Sequence, residues 1–275
     1  MKSMKIQCIL MLLVLFMIPS PGFAEETYDM FPVSGRIEFV SYSGDNIYIQ
    51  STLNYPESIL YQYNPETMFQ PELVLDSLTA ERDYLFAVGD KKYVFKSEED
   101  SLKQVGGNDN ISLSSSGWNP FLMSFFEDNS LVFLLEKDED IHIWRLDTLT
   151  RELKNISIGN NLFSVQPYIS GRTLVFNNNG NTKDIIELDW DSFEQTKKGN
   201  LPAEATSIAY DKYEDVIYYL KDGCLWQYDW DGTNKQLASG FPYWTDQRAF
   251  VLAPGIIATP FIDANESLLV IKLKK

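Results

Sequence analysis

The feature that most constrains this chain is a recurring unit of about forty residues, clearest between Asp215 and Gly240. Val216 to Leu220 is β-branched and aromatic, and Lys221-Asp222-Gly223 reads as a turn with glycine supplying positive φ. Cys224 to Asp229 alternates inward and outward residues, and Asp231-Gly232 turns the chain again before Lys235 to Ala238. Strands at this pitch, separated by Asp- and Gly-bearing turns, exclude a helical architecture and point to a repeat-built β protein.

Comparable strands begin at Ile47, Tyr84, Leu131, Thr173, Val216 and Ile256, with gaps of about 37, 47, 42, 43 and 40 residues, the spacing of four-stranded propeller blades. Second alternating strands follow at Leu60 to Tyr63, Lys92 to Lys96, Ile141 to Leu146, Asp184 to Asp189, Leu225 to Asp229 and Leu268 to Leu273. No window sustains a 3.6-residue period, and Ser77 to Arg82, the best helix candidate, is one turn long. The last copy holds three strand-like runs, while Glu25 to Val33 is one strand in excess at the start. Pairing those two ends closes a ring and removes its exposed edges. The expected fold is therefore an all-β, six-bladed β-propeller of four-stranded antiparallel blades, closed by pairing the N-terminal strand with the last blade.

The run from Ile217 to Leu237 resembles a blade of the YWTD-like and TolB-like six-bladed propellers, among them exported bacterial proteins. It shares their hydrophobic-Tyr-Tyr strand, alternating strand ending in aspartate, Asp-Gly turn and polar strand closing on leucine. Leu131 to Leu153 and Thr173 to Lys198 fit less closely. The resemblance implies a fold and no catalytic set. Tyr243-Trp244-Thr245-Asp246 spells the family signature, but repeat register puts it in a connection between blades, where the spelling is coincidental.

Residues 1–24 read as a signal peptide: Lys2 and Lys5, an apolar run from Ile6 to Ile18, and small residues at Gly22-Phe23-Ala24. A single propeller domain is expected over residues 25–275, exported to the periplasm, cell envelope or outside. Cleavage removes two lysines and no acid, taking the net charge from −16 to −18. So acidic a surface repels nucleic acid and anionic lipid. Cleavage also removes Cys8, which leaves Cys224 alone and excludes an internal disulfide.

Candidate sites fall in the connections between blades, which converge on the axis. Trp118, Tyr243 and Trp244 are aromatics in such connections, suited to a ligand platform or to filling gaps between blades. The acidic groups Asp138-Glu139-Asp140, Asp189-Trp190-Asp191 and Asp229 to Asn234 repeat with the blades, which favours Asx turns over a calcium site. His142 is the only histidine and sits mid-strand, and Cys224 has no second histidine to activate it. No catalytic residue, metal or cofactor is nominated. The expected function is an exported, monomeric, non-enzymatic binding module for a protein, peptide or glycan. The alternatives are a carbohydrate-active enzyme using paired carboxylates in the central pocket, and a structural scaffold without a small-molecule ligand.

Overall fold

The burial of the strands follows a gradient that the composition dictates. Arg172–Asn179, Thr182–Asp189 and Gln195–Pro202 lie progressively outward in one sheet: the innermost of the three buries Thr173 to Phe176 consecutively, the next alternates, and the outermost is mostly exposed and carries Lys, Gln and Asn. A strand covered on both faces needs continuous apolar residues, whereas one at the rim needs few.

The computed structural model describes residues 27–54, 57–79, 83–89, 91–108, 110–113, 117–169, 171–241, 246, 248–261 and 266–273. The segment read as a signal peptide lies outside them. The described residues form strands and turns with no helix, so Ser77 is in a strand rather than a helical turn, and residues 80–82 lie outside the described set.

Four sheets have four strands each. One holds β6 (Asp83–Val88), β7 (Lys91–Lys96), β8 (Ser101–Gln104) and β9 (Asn110–Ser112), in that order. The next holds β14 (Leu162–Pro167), β15 (Arg172–Asn179), β16 (Thr182–Asp189) and β17 (Gln195–Pro202). A third holds β18 (Thr206–Asp211), β19 (Val216–Lys221), β20 (Cys224–Tyr228) and β21 (Asn234–Ser239). The fourth joins the chain ends. There, β1 (Thr27–Pro32) pairs antiparallel with β24 (Ser267–Lys272), followed by β23 (Ile256–Phe261) and β22 (Phe250–Ala253). The pairing of the first strand with the last therefore exists, and Lys272 reaches across it to Asp29 at 2.6 Å.

The remaining strands correct the expectation of six separate blades. β2 (Arg36–Ser43), β3 (Asn46–Asn54), β4 (Glu57–Tyr63) and β5 (Glu72–Thr79) share one eight-stranded sheet with β10 (Asn119–Glu127), β11 (Ser130–Lys137), β12 (Asp140–Asp147) and β13 (Leu153–Gly159). Only four separate blades remain. The fusion is a parallel pairing of β2 with β10, Val40 to Ser43 against Met123 to Phe126, and it brings two first strands into direct main-chain contact.

The repeat register also shifts in one copy. Ile47, Leu131, Thr173, Val216 and Ile256 lie in second strands of their runs, but Tyr84 lies in β6, a first strand. Lys91–Lys96 is its true counterpart. After β8, Asn110–Ser112 forms the outer strand β9 of that sheet.

First strands of neighbouring sheets pack against one another. Val40, Tyr42, Met123, Phe125, Val165, Phe250 and Leu252 belong to one buried cluster. Tyr42 and Phe250 stack with centroids 4.9 Å apart and planes 6° from parallel. Each such side chain contributes about 1.5–3 kcal/mol by leaving water. Buried amides and hydroxyls then tie neighbouring sheets. Gln50 Nε2 donates to the Asp83 carbonyl at 2.6 Å while its Oε1 accepts from Leu85 N. Gln166 bridges the Ala249 carbonyl and Tyr210 N, and Ser41 Oγ accepts from Ala87 N and from Ser124 Oγ.

Candidate functional site

The axis has two ends. At one lie the connections between sheets and the turns between second and third strands. At the other lie the turns joining first to second and third to fourth strands.

Trp118 precedes β10 at the first end, and it is 6% exposed rather than displayed. Its ring meets Trp144 edge-on at 5.2 Å and His142 at 4.8 Å, with Lys137 Nζ 5.4 Å from its centroid. The Gly117 and Trp118 N–H groups donate to Asp100, which fixes the approach of the loop. Tyr243 and Trp244 lie outside the described residues. The structure thus places one of the three aromatics, inside the packing between sheets.

The same end holds a cluster that the sequence reading missed. Asp246 and Arg248 form a buried bidentate pair, Nε to Oδ1 at 2.7 Å and Nη2 to Oδ2 at 2.5 Å, with side chains 6% and 4% exposed. Arg248 Nη1 also donates to the Glu38 carbonyl at 3.0 Å, and the Asp246 carbonyl accepts from Ser207 N and Oγ. Glu266 stands across the seam closed by β1, where its carboxylate accepts from Ile37 N at 3.4 Å. Burial holds Glu266 above the ordinary carboxylate range against the opposing Ile37 hydrogen bond and Arg248 charge. One carboxylate oxygen of Glu38, Oε2, is buried with no hydrogen-bond partner. The available signal was Asp-Gln-Arg in a connection expected to be polar and exposed, where an opposite-charge pair two residues apart can close on itself.

At the other end, a cavity of about 420 Å³ is lined by Ser43, Gly44, Asp45, Gly89, Glu127, Asp128 and Lys212, among others. These residues come from the first turns of four runs, β2–β3, β6–β7, β10–β11 and β18–β19. Gly44 at φ +59 and Asp128 at φ +47 turn the chain tightly enough to leave the space open. Lys212 Nζ donates to Glu127 at 2.5 Å; burial disfavours its charge, but the Glu127 contact prevails and raises its pKa. Equivalent repeat positions of Asp45 and Asp128 would have revealed this grouping, had the register been read as a map of both faces.

The remaining candidates serve the fold. Asp189 Oδ1 accepts from Asp191 N and Ser192 N, and Asp231 Oδ1 from Thr233 N, as Asx turns do. Asp140 accepts from Ser157 Oγ and contacts His142 Nε2 at 3.1 Å, while His142 Nδ1 faces Asn155. Among the described residues, no three His, Cys, Asp or Glu side chains converge to hold a metal ion. Cys224 is free.

Closed pairing of the chain ends, radially ordered strands and a shared axis define the class as an all-β propeller. No protein-family model matches the chain, and no curated protein matches it by sequence. Solved structures do. A gluconolactonase-like protein is similar at a TM-score of 0.59 and 11% identity, covering 92% of this chain and 95% of that one. Virginiamycin B lyase from Staphylococcus aureus is similar at 0.55 and 10%, covering 91% and 100%. Oligogalacturonate lyase from Vibrio parahaemolyticus is similar at 0.54 and 8%, covering 92% and 98%. At such identities the likeness shows the propeller fold alone, and it does not single out the YWTD-like or TolB-like family.

Proposed function

We propose that the protein is an exported binding module whose eight-stranded sheet counts as two blades of a sixfold ring. The observation that carries the reading is the packing of the first strands: β2 and β10 pair directly, and Tyr42, Phe125 and Phe250 are buried in one cluster with their neighbours. A pocket enzyme needs an open, water-lined chamber in which two acids face a substrate, and these first strands bury apolar rings instead. Recognition then falls to the ends of the ring; Tyr243 and Trp244 stay proposed ligand residues on their sequence alone, while Trp118 is buried against Trp144 and His142.

A thermal-shift screen of residues 25–275 against glycans, peptides and calcium tests the reading. A true ligand at a hundred times its dissociation constant adds about 2.7 kcal/mol. A flat response across the panel contradicts it and favours a scaffold.

A carbohydrate-active enzyme is the second reading, favoured by Glu38 and Glu266 at the mouth and by the lyase and gluconolactonase-like names of the fold neighbours. It predicts glycan products by mass spectrometry that vanish in Glu38→Gln or Glu266→Gln.

A further inference from the structure

Exposed apolar side chains are not scattered evenly over the molecule. Of the ten large hydrophobics exposed among the described residues, six sit in turns at the same end of the runs: Phe69, Val105, Leu149, Ile169, Phe193 and Tyr213. Leu53, the last but one residue of β3, lies at the other end. Phe69 is 90% and Leu149 74% exposed. Parallel β2 and β10 put their first turns on one face, and the cavity joins those turns to Lys212. Hydrogen bonds add the third-to-fourth-strand turns. Thr148 N donates to the Asn129 carbonyl, Asn64 Nδ2 to Asn46 Oδ1, and Trp190 N to the Gly171 carbonyl.

The apolar tips are held out rather than left loose. Asp147 Oδ1 accepts from Leu149 N and Thr150 N, and Asp211 Oδ1 from Tyr213 N and Glu214 N. The carboxylates that shape these turns make the same face acidic, as do exposed Asp128 and Asp191. Asp45, Glu127 and Asp128 line the cavity, with Lys212 paired to Glu127. Burying so many exposed apolar side chains against a partner is favourable, and the charge selects which partner.

We propose that this turn face docks a cationic polypeptide segment bearing apolar side chains, with a lysine or arginine head entering the axial cavity against Asp45 and Asp128. The proposal deepens the binding-module reading and rests on it. A second copy of the chain is disfavoured as occupant, because it would bring the same acidic face.

The test uses residues 25–275 and a fluorescently labelled synthetic peptide of alternating lysine and leucine, followed by anisotropy at about 150 mM salt, where exposed charges beyond about 8 Å are screened. Asp45→Asn with Asp128→Asn should weaken binding roughly tenfold, and so should Leu149→Ser with Phe193→Ser. The control is Asp138→Asn with Asp222→Asn, which removes equal charge from exposed turns on the opposite face; Asp128, Asp138 and Asp222 all have positive φ that asparagine tolerates. That control should leave affinity within about twofold. Equal weakening by both charge pairs, or no binding, overturns the proposal. A ligand found in the thermal-shift screen would keep the binding-module reading alive even then.

Discussion

Arg248 and Trp118 carry the sharpest expectations at the level of single side chains. Arg248→Met leaves Asp246 buried and uncompensated, which costs about 3–5 kcal/mol, while the Asp246→Leu/Arg248→Met double variant should recover much of the loss. Urea titrations of the three proteins check this. Trp118→Ala removes a buried ring from between Trp144 and His142 and should cost about 3–5 kcal/mol; a stability loss without change in ligand affinity assigns the ring to packing alone. Glu266 has a raised pKa, so the native state holds its proton more tightly than the unfolded chain. Its ionisation therefore lowers stability as pH rises through that window. Glu266→Gln should raise the melting temperature near about pH 7 and leave it unchanged near about pH 3, below both values. These residues were unequally legible. A tryptophan after a Ser-Ser-Ser-Gly stretch reads as exposed because loops are polar, yet Gly117 and Trp118 are tied to Asp100 by their N–H groups and the ring is buried. The Asp246–Arg248 pair hid because a charged connection reads as solvent-facing until a second layer of structure covers it.

Strands were the most readable elements, because alternation and Asp-Gly turns are local signals. Asp222 and Gly223 take φ of 52° and 68°, as the turn between β19 and β20 requires. The register of one copy slipped by a strand because Tyr84 to Val88 is as apolar as any second strand; both layers are buried there, so composition does not distinguish them. The parallel contact of β2 with β10 had no local signal at all. It depends on how far the run β6–β9 sits from the axis, a property of the assembled ring. The seam of β1 with β24 was legible by counting strands at the two ends. Deleting residues 25–33 exposes the edge of β24 and takes Val33 and Phe31 out of the central cluster. The melting temperature should fall sharply, and an unchanged value contradicts ring closure.

For the molecule as a whole, turn chemistry, acidity and recognition are one property. Hydrogen bonds hold Asp147, Asp189 and Asp231 below the ordinary carboxylate range, chiefly from Thr150 N, Ser192 N and Thr233 respectively. Their contribution is present above the unfolded carboxylate pKa and is lost as pH falls through the lower native values, so these turns should loosen in acid. The same aspartates supply the field that selects a cationic partner. Hydrogen–deuterium exchange with the lysine/leucine peptide bound tests the central claim most directly. Protection should appear at 126–129, 147–152, 189–194 and 211–215 on the turn face. Protection instead at 36–38, 246, 248 and 266 would place the peptide at the opposite mouth and contradict the turn-face assignment.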